Sequence, residues 1–237
     1  TSVDRSLPWE EWVHGFCAPF YTAKAYGSAV LNLSIGGLNP LAVKYYLKLG
    51  AKIIWMPTLH ARNQIEYFGR DPFANHPGIR LLDENGDLKP EVLEILDLIK
   101  EYDATIATGH ISIGESIAVC NAARERGVRT VLTHPDWTCT TVPADVQTQL
   151  VKKGVILEKL WFDIGINHVT AEYMAQTIRD AGVENCFMAT DRGQSGKEYP
   201  VEGLMMFMDA MLDCGFSVEE IHIMTHENPE RVLGLRP

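Results

Sequence analysis

The chain has 237 residues, 46% hydrophobic and 22% charged, an ordinary globular composition and enough length for one large domain over 1–237 with a sizeable core. Lys and Arg total 21 against 31 for Asp and Glu, a formal charge of -10, which argues against a basic surface for nucleic acid or anionic lipid. The five cysteines, Cys17, Cys120, Cys139, Cys186 and Cys214, are odd in number and form no CxxC pair, so neither a disulfide framework nor a zinc finger is expected.

The apolar runs fall short of the roughly 20 residues a membrane span needs, and Thr1 to Glu10 has no basic-then-apolar signal pattern. A soluble, cytoplasmic protein with a small-molecule substrate is the expectation, with self-association left open. The chain opens on Thr1 and not on Met, so the natural N-terminus is expected upstream.

An aromatic-rich segment comes first, with Trp9, Trp12, Phe16, Phe20 and Tyr21 in no clear period. From Ser28 onward, short β-branched runs alternate with helical patterns, the rhythm of βαβ units and a parallel sheet. The expected strands are SAVLNLSI from Ser28, AKIIWMPT from Ala51, ATIATG from Ala104, RTVLTH from Arg129, GVILE from Gly154 and NCFMATD from Asn185. Each is nearly all apolar, as in strands covered on both faces.

Helix starts are marked by Asn39-Pro40, Pro90, Pro143, Thr170 and Pro200, and stops by Gly50, Gly127, Gly154, Gly182 and Gly215. In the helix from Pro90, Val92, Ile95, Leu96 and Ile99 form a stripe at i, i+3, i+4 and i+7 that should face the sheet. Thr58 to Lys89 shows no helical pattern and far exceeds a usual βα connection, so it reads as a binding loop or lid, with a turn at Asn85-Gly86.

A (β/α) barrel carries its reactive side chains at the C-terminal ends of its strands, where the βα loops open. His110, His134 and Asp191 directly follow apolar runs in ATIATGH, RTVLTHP and CFMATD, and Glu158 closes VILE. Imidazole nitrogen and carboxylate oxygen together favour a divalent ion, zinc first and then manganese or iron. Such an ion acidifies bound water and polarises a substrate carbonyl, and Asp191 is placed to take the water's proton. An open doubly wound sheet is the alternative fold, but SIGGLNP matches GxGxxG poorly.

Other candidates carry less. Ser112-Ile-Gly-Glu115 has capping-box spacing, so Glu115 reads as structural. Glu158 is as well suited to pair with Lys159 or a loop arginine. His60 opens the long loop beside Arg62 and Asn63 as a ligand or substrate contact, and Arg62 or Arg192 suits a substrate carboxylate. His14, His76, His168, His222 and His226 are given no metal role.

VLNLSIGGLNPLAV, GAKIIWMPT, GDLKPEVLEILDLI, ATGHISIGES, VLTHP, GVILE, ATDRGQ and ENPERVLGL, spread from about Val30 to Leu235, resemble the metal-dependent hydrolases of the amidohydrolase superfamily, and most closely the DUF6282-type proteins. The resemblance implies a distorted TIM-type barrel, incomplete in its first strand, with a mono- or binuclear metal site. It implies His110, His134 and Asp191 as ligands and Asp191 as base. The chain departs from that pattern in having no His-x-His pair anywhere, and in FCAPFYTAK Cys17 and Pro19 stand where the family tends to offer lysine and histidine. Either residues upstream supply the missing ligands or the chain holds half of the metal set. The expected activity is hydrolysis of an amide, lactone or ester. The alternatives are metal-dependent decarboxylation and a non-catalytic ligand-binding barrel.

Overall fold

The computed structural model describes residues 25–69, 76–165 and 169–235. The N-terminal aromatic segment, Cys17, Pro19, His14 and His168 lie outside them. Six strands, β1 (Ser28–Val30), β2 (Ile53–Trp55), β3 (Thr105–Ala107), β4 (Arg129–Leu132), β5 (Ile156–Leu160) and β6 (Cys186–Ala189), pair in chain order and all in parallel. Among the described residues β6 does not pair with β1, so the wall is a barrel left open on one side.

Between the strands run α1 (Pro40–Lys48), α2 (Arg62–Phe68), α3 (Pro90–Glu101), α4 (Ile113–Glu125), α5 (Ala144–Lys152), α6 (Ala171–Ala181) and α7 (Pro200–Asp213). A closing segment, α8 (Val218–His222), a π-helical turn and α9 (Asn228–Val232), follows. The start signals act as their chemistry requires: the Asn39 side chain accepts from the N–H groups of Leu41 and Ala42, and Thr170 from that of Tyr173. The α3 stripe of Val92, Ile95, Leu96 and Ile99 is fully buried, each side chain contributing about 1.5 to 3 kcal/mol of burial. Among the described residues no helix is long and apolar enough to cross a membrane.

The two-residue period of the strands divides the interior. Ile54, Ile106, Leu132, Leu157 and Met188 point outward into two cores shared with the helices. Ala107, Val131, Ile156 and Phe187 point inward and pack on Val232 of α9, which plugs the floor of the barrel. Asn228 of the NPERVLGL run holds that plug in place, its amide donating to the carbonyls of Val183 and Cys186. With the floor filled, open space remains at the C-terminal ends of the strands.

Two expectations need correction. The stretch from Thr58 to Lys89 contains a helix, α2, none of whose residues is buried, so it presents no apolar period to read. Strand β5 runs on to Leu160, which puts Glu158 inside the strand and not at its end. Lys159 looks like a solvated stop in the sequence, but it is fully buried. Its ammonium donates to Asp136 at 2.7 Å, Gln147 at 3.0 Å and Thr177 at 2.9 Å.

Candidate active site

At the C-terminal mouth a cavity of about 380 Å³ is lined by Trp55, Thr58, His110, Thr133, His134, Glu158, Leu160, Ala189 and Asp191. These come from successive strand ends, and two threonines set the spacing. The Thr108 hydroxyl accepts the Thr133 N–H at 2.9 Å and the Thr133 hydroxyl accepts the Gly109 N–H at 3.2 Å, tying the tips of β3 and β4 together just before the two histidines. Gly109 is required there: its φ is +60°, and a Cβ would stand 2.3 Å from the Met56 carbonyl oxygen.

The imidazoles of His110 and His134 lie 5.3 Å apart, centroid to centroid, and Trp137 meets His110 edge-on at 5.0 Å and His134 at a tilt at 5.2 Å. His134 is buried; its Nδ1 is 3.1 Å from Asp163 Oδ1 and its Nε2 is 3.4 Å from Asp191 Oδ2. Burial opposes charge on this ring, but the bonds to Asp163 and Asp191 overcome it and raise its pKa to about 10. Burial and then the neighbouring His134 charge take His110 the other way, to about 3. Burial pushes Glu158 up to about 8 against the pull of His134, and raises Asp163 as well.

The donor chemistry fits a divalent cation. Glu158 Oε2 is buried in the cavity wall without a hydrogen-bond partner, and a buried carboxylate left this way wants a cation. His134 is backed by a carboxylate on its far nitrogen, the arrangement that orients metal-binding imidazoles. Two ligands of a tetrahedral ion with bonds of about 2.1 Å stand roughly 3.4 Å apart, the separation of His134 Nε2 and Asp191 Oδ2. Among the described residues no three His, Cys, Asp or Glu side chains are gathered that closely. One pair is at ligand spacing and the third donor is not.

The remaining candidates sit elsewhere. His60 is buried with its backbone N–H on Asn32 Oδ1 and is not part of the cavity lining. Arg62 lines a larger space of about 440 Å³ between α2 and the turn around Asn85-Gly86, and is held by Glu66 at 2.6 Å and the Pro77 carbonyl at 2.7 Å. That space includes Glu115, whose carboxylate is committed to the Ser112 capping box and to Leu81 N–H at 2.7 Å. Arg192 binds Glu198 at 2.6 Å beside Phe162. Sequence reasoning missed Asp163, in the turn Trp161–Asp163 after the true end of β5, and Gln64 of α2, whose Oε1 meets His110 Nδ1. Extending β5 by two residues would have exposed the first; nothing in the sequence marks the second.

Residues 14–158 match the profile of DUF6282, described as a family of unknown function. No curated protein matches. Among solved structures, an amidohydrolase from Pseudomonas aeruginosa is similar at 14% identity and TM-score 0.59, over 82% of this chain and 67% of that one. A metallopeptidase from Rhodobacter sphaeroides with a phosphinate mimic of L-Ala-D-Ala is similar at 13% and 0.56, over 84% and 59%, so this chain spans under two thirds of its length. A 2,6-dihydroxybenzoate decarboxylase from Rhizobium is similar at 10% and 0.55, over 96% and 76%. At such identities the likeness carries the fold alone, a distorted (β/α) barrel.

Proposed function

The chain belongs to the DUF6282 family, and from the donor set at the barrel mouth we propose that the protein is a metal-dependent hydrolase of an amide, lactone or ester. The observation that carries this reading is the 3.4 Å approach of His134 Nε2 and Asp191 Oδ2 beside the unpartnered Glu158 oxygen. His110, His134 and Asp191 would hold the ion, with Glu158 as a fourth donor and zinc as the first choice. When bound, the ion supplies a Lewis acid for the substrate carbonyl and for water.

The protein's own groups do the rest. Asp191 is about half exposed, 47% for its side chain, and takes the proton of the attacking water before passing it to the leaving group. Asp163 holds His134 through Nδ1 and keeps Nε2 forward. Trp55, Leu160 and Ala189 give the cavity an apolar wall for the substrate's carbon skeleton. The substrate is therefore a small molecule with an apolar part.

Decarboxylation is the second reading. It needs a cation for the substrate carboxylate; Arg62 is engaged by Glu66 and the Pro77 carbonyl, and Arg192 binds Glu198 through Nε while its Nη1 has no partner. The test is metal analysis of purified protein followed by turnover of neutral amides, lactones and esters beside aromatic carboxylates. Stoichiometric zinc with hydrolysis is expected. Carbon dioxide release would move the protein to the second reading, and failure to hold any metal after supplementation would leave a non-catalytic ligand-binding barrel.

A further inference from the structure

Helix α2 contributes nothing to the core, and its contacts run to the two loops that carry the cavity imidazoles. Asn63 Nδ2 donates to the His110 carbonyl at 3.2 Å and to the Cys139 carbonyl at 2.7 Å. Tyr67 donates its hydroxyl to Thr138 at 2.7 Å, and Phe68 lies 5.9 Å from Trp137. At the centre of these contacts Gln64 Oε1 meets His110 Nδ1.

We propose that Gln64 is a positioning residue that fixes His110 as its Nδ1–H tautomer and so leaves the Nε2 lone pair for the cavity. A carboxamide oxygen only accepts, so the nitrogen facing it carries the hydrogen, and a neutral imidazole has one hydrogen to place. Asp163 likewise accepts from Nδ1 of His134. The two imidazoles are thus set alike, each with Nδ1 bonded to an oxygen behind it. The acceptor behind His134 comes from the turn that follows β5 and the one behind His110 from a helix outside the barrel. The inference rests on the metal reading of the cavity only for what Nε2 is for; the tautomer stands on the contact itself.

The tautomer is read directly from long-range proton–nitrogen correlation of the imidazoles in metal-free protein, with His110→Gln assigning the signals. Wild type is expected to show His110 protonated at Nδ1. Gln64→Glu, which keeps an oxygen acceptor, should preserve that signature; Gln64→Leu and Gln64→Ala should lose it and bind zinc about 10- to 100-fold more weakly. An Nε2–H signal in wild type, or an unchanged Nδ1–H signal in both apolar variants, overturns the proposal. If wild type binds no zinc, the metal reading fails while the tautomer comparison still decides the role of Gln64.

Discussion

His134 and Asp191 face each other at 3.4 Å, Nε2 to Oδ2, from backbones that are both left-handed, each with φ of 47°. Among the described residues only Asp103 shares that conformation outside glycine. It costs on the order of 1 to 3 kcal/mol per residue and persists where the surroundings enforce it. Here it turns two strand-end side chains back over the barrel mouth, and the loops that enforce it are built for that pairing.

Asp191→Asn should separate chemistry from folding. Asparagine keeps the volume and one oxygen but cannot take a proton, so turnover should fall roughly a hundredfold or more. The melting temperature should move little, because the side chain is half exposed and buries no apolar surface. Full activity in this variant would remove Asp191 as the base.

Lys159→Met should unfold the protein more readily without touching the cavity. It leaves Asp136 as a buried charge deprived of its cation, a loss of about 3 to 5 kcal/mol. Adding Asp136→Leu should recover much of that, since the uncompensated charge then goes too. Urea unfolding of the single and double variants measures both, and an additive double variant would contradict the pairing.

The metal-free protein should lose stability as the pH rises from about 6.5 to 10. His134 keeps its proton in the folded state up to about 10, against 6.5 for a free histidine side chain. In that window the native state binds more protons than the unfolded chain, so its advantage is complete below the lower value and gone above the upper one. Glu158, moved from 4.5 to about 8, acts in the same direction over its own range. Asp163→Asn removes the main partner of His134 and should flatten the fall above pH 8. A melting temperature in wild type that is level from pH 7 to 10 would refute the strong His134–Asp163 coupling.

Gly109→Ala should damage the site from within the backbone. A methyl group there meets the Met56 and Pro57 carbonyl oxygens at 2.3 and 2.8 Å while φ stays positive, so the tips of β2 and β3 must separate and carry His110 away. A stability loss of at least about 1 to 3 kcal/mol is expected, together with weaker zinc binding. The substitution Gly86→Ala, also at positive φ but with nothing within 4 Å, is the control for backbone strain alone.

The sequence disclosed the layout of the barrel because the barrel is built from repeated local signals. The strands sit in apolar runs, every helix start but that of α2 has a proline or a capping residue, and each glycine stop adopts the positive φ its place demands. That His110, His134, Asp191 and Glu158 line one cavity was legible for the same reason, since a polar side chain after or within an apolar run stands out. Asp163 was hidden because Lys159 reads as the end of β5, and only the buried acceptors Asp136, Gln147 and Thr177 allow an ammonium to lie mid-strand. Gln64 was hidden because α2 has no buried face, and its partner lies 46 residues away in the chain. The candidacy of His60, Arg62 and Arg192 rested on nearness in sequence to the mouth, and none of the three lines the cavity.

The adjacent residues Glu158 and Lys159 point to opposite faces of β5, the carboxylate into the barrel and the ammonium into the helix layer. A slip of one residue against β4 or β6 would exchange them, because side chains alternate with a period of two. The ammonium would then face the two histidines, and the carboxylate would be forced against Asp136. Both placements break buried polar partnerships, since Lys159 would lose Asp136, Gln147 and Thr177 and Asp136 would lose its cation, so the misregistered sheet is penalised twice. The charge pair thus proofreads the pairing of the strand during folding, a duty separate from anything either residue does at the mouth.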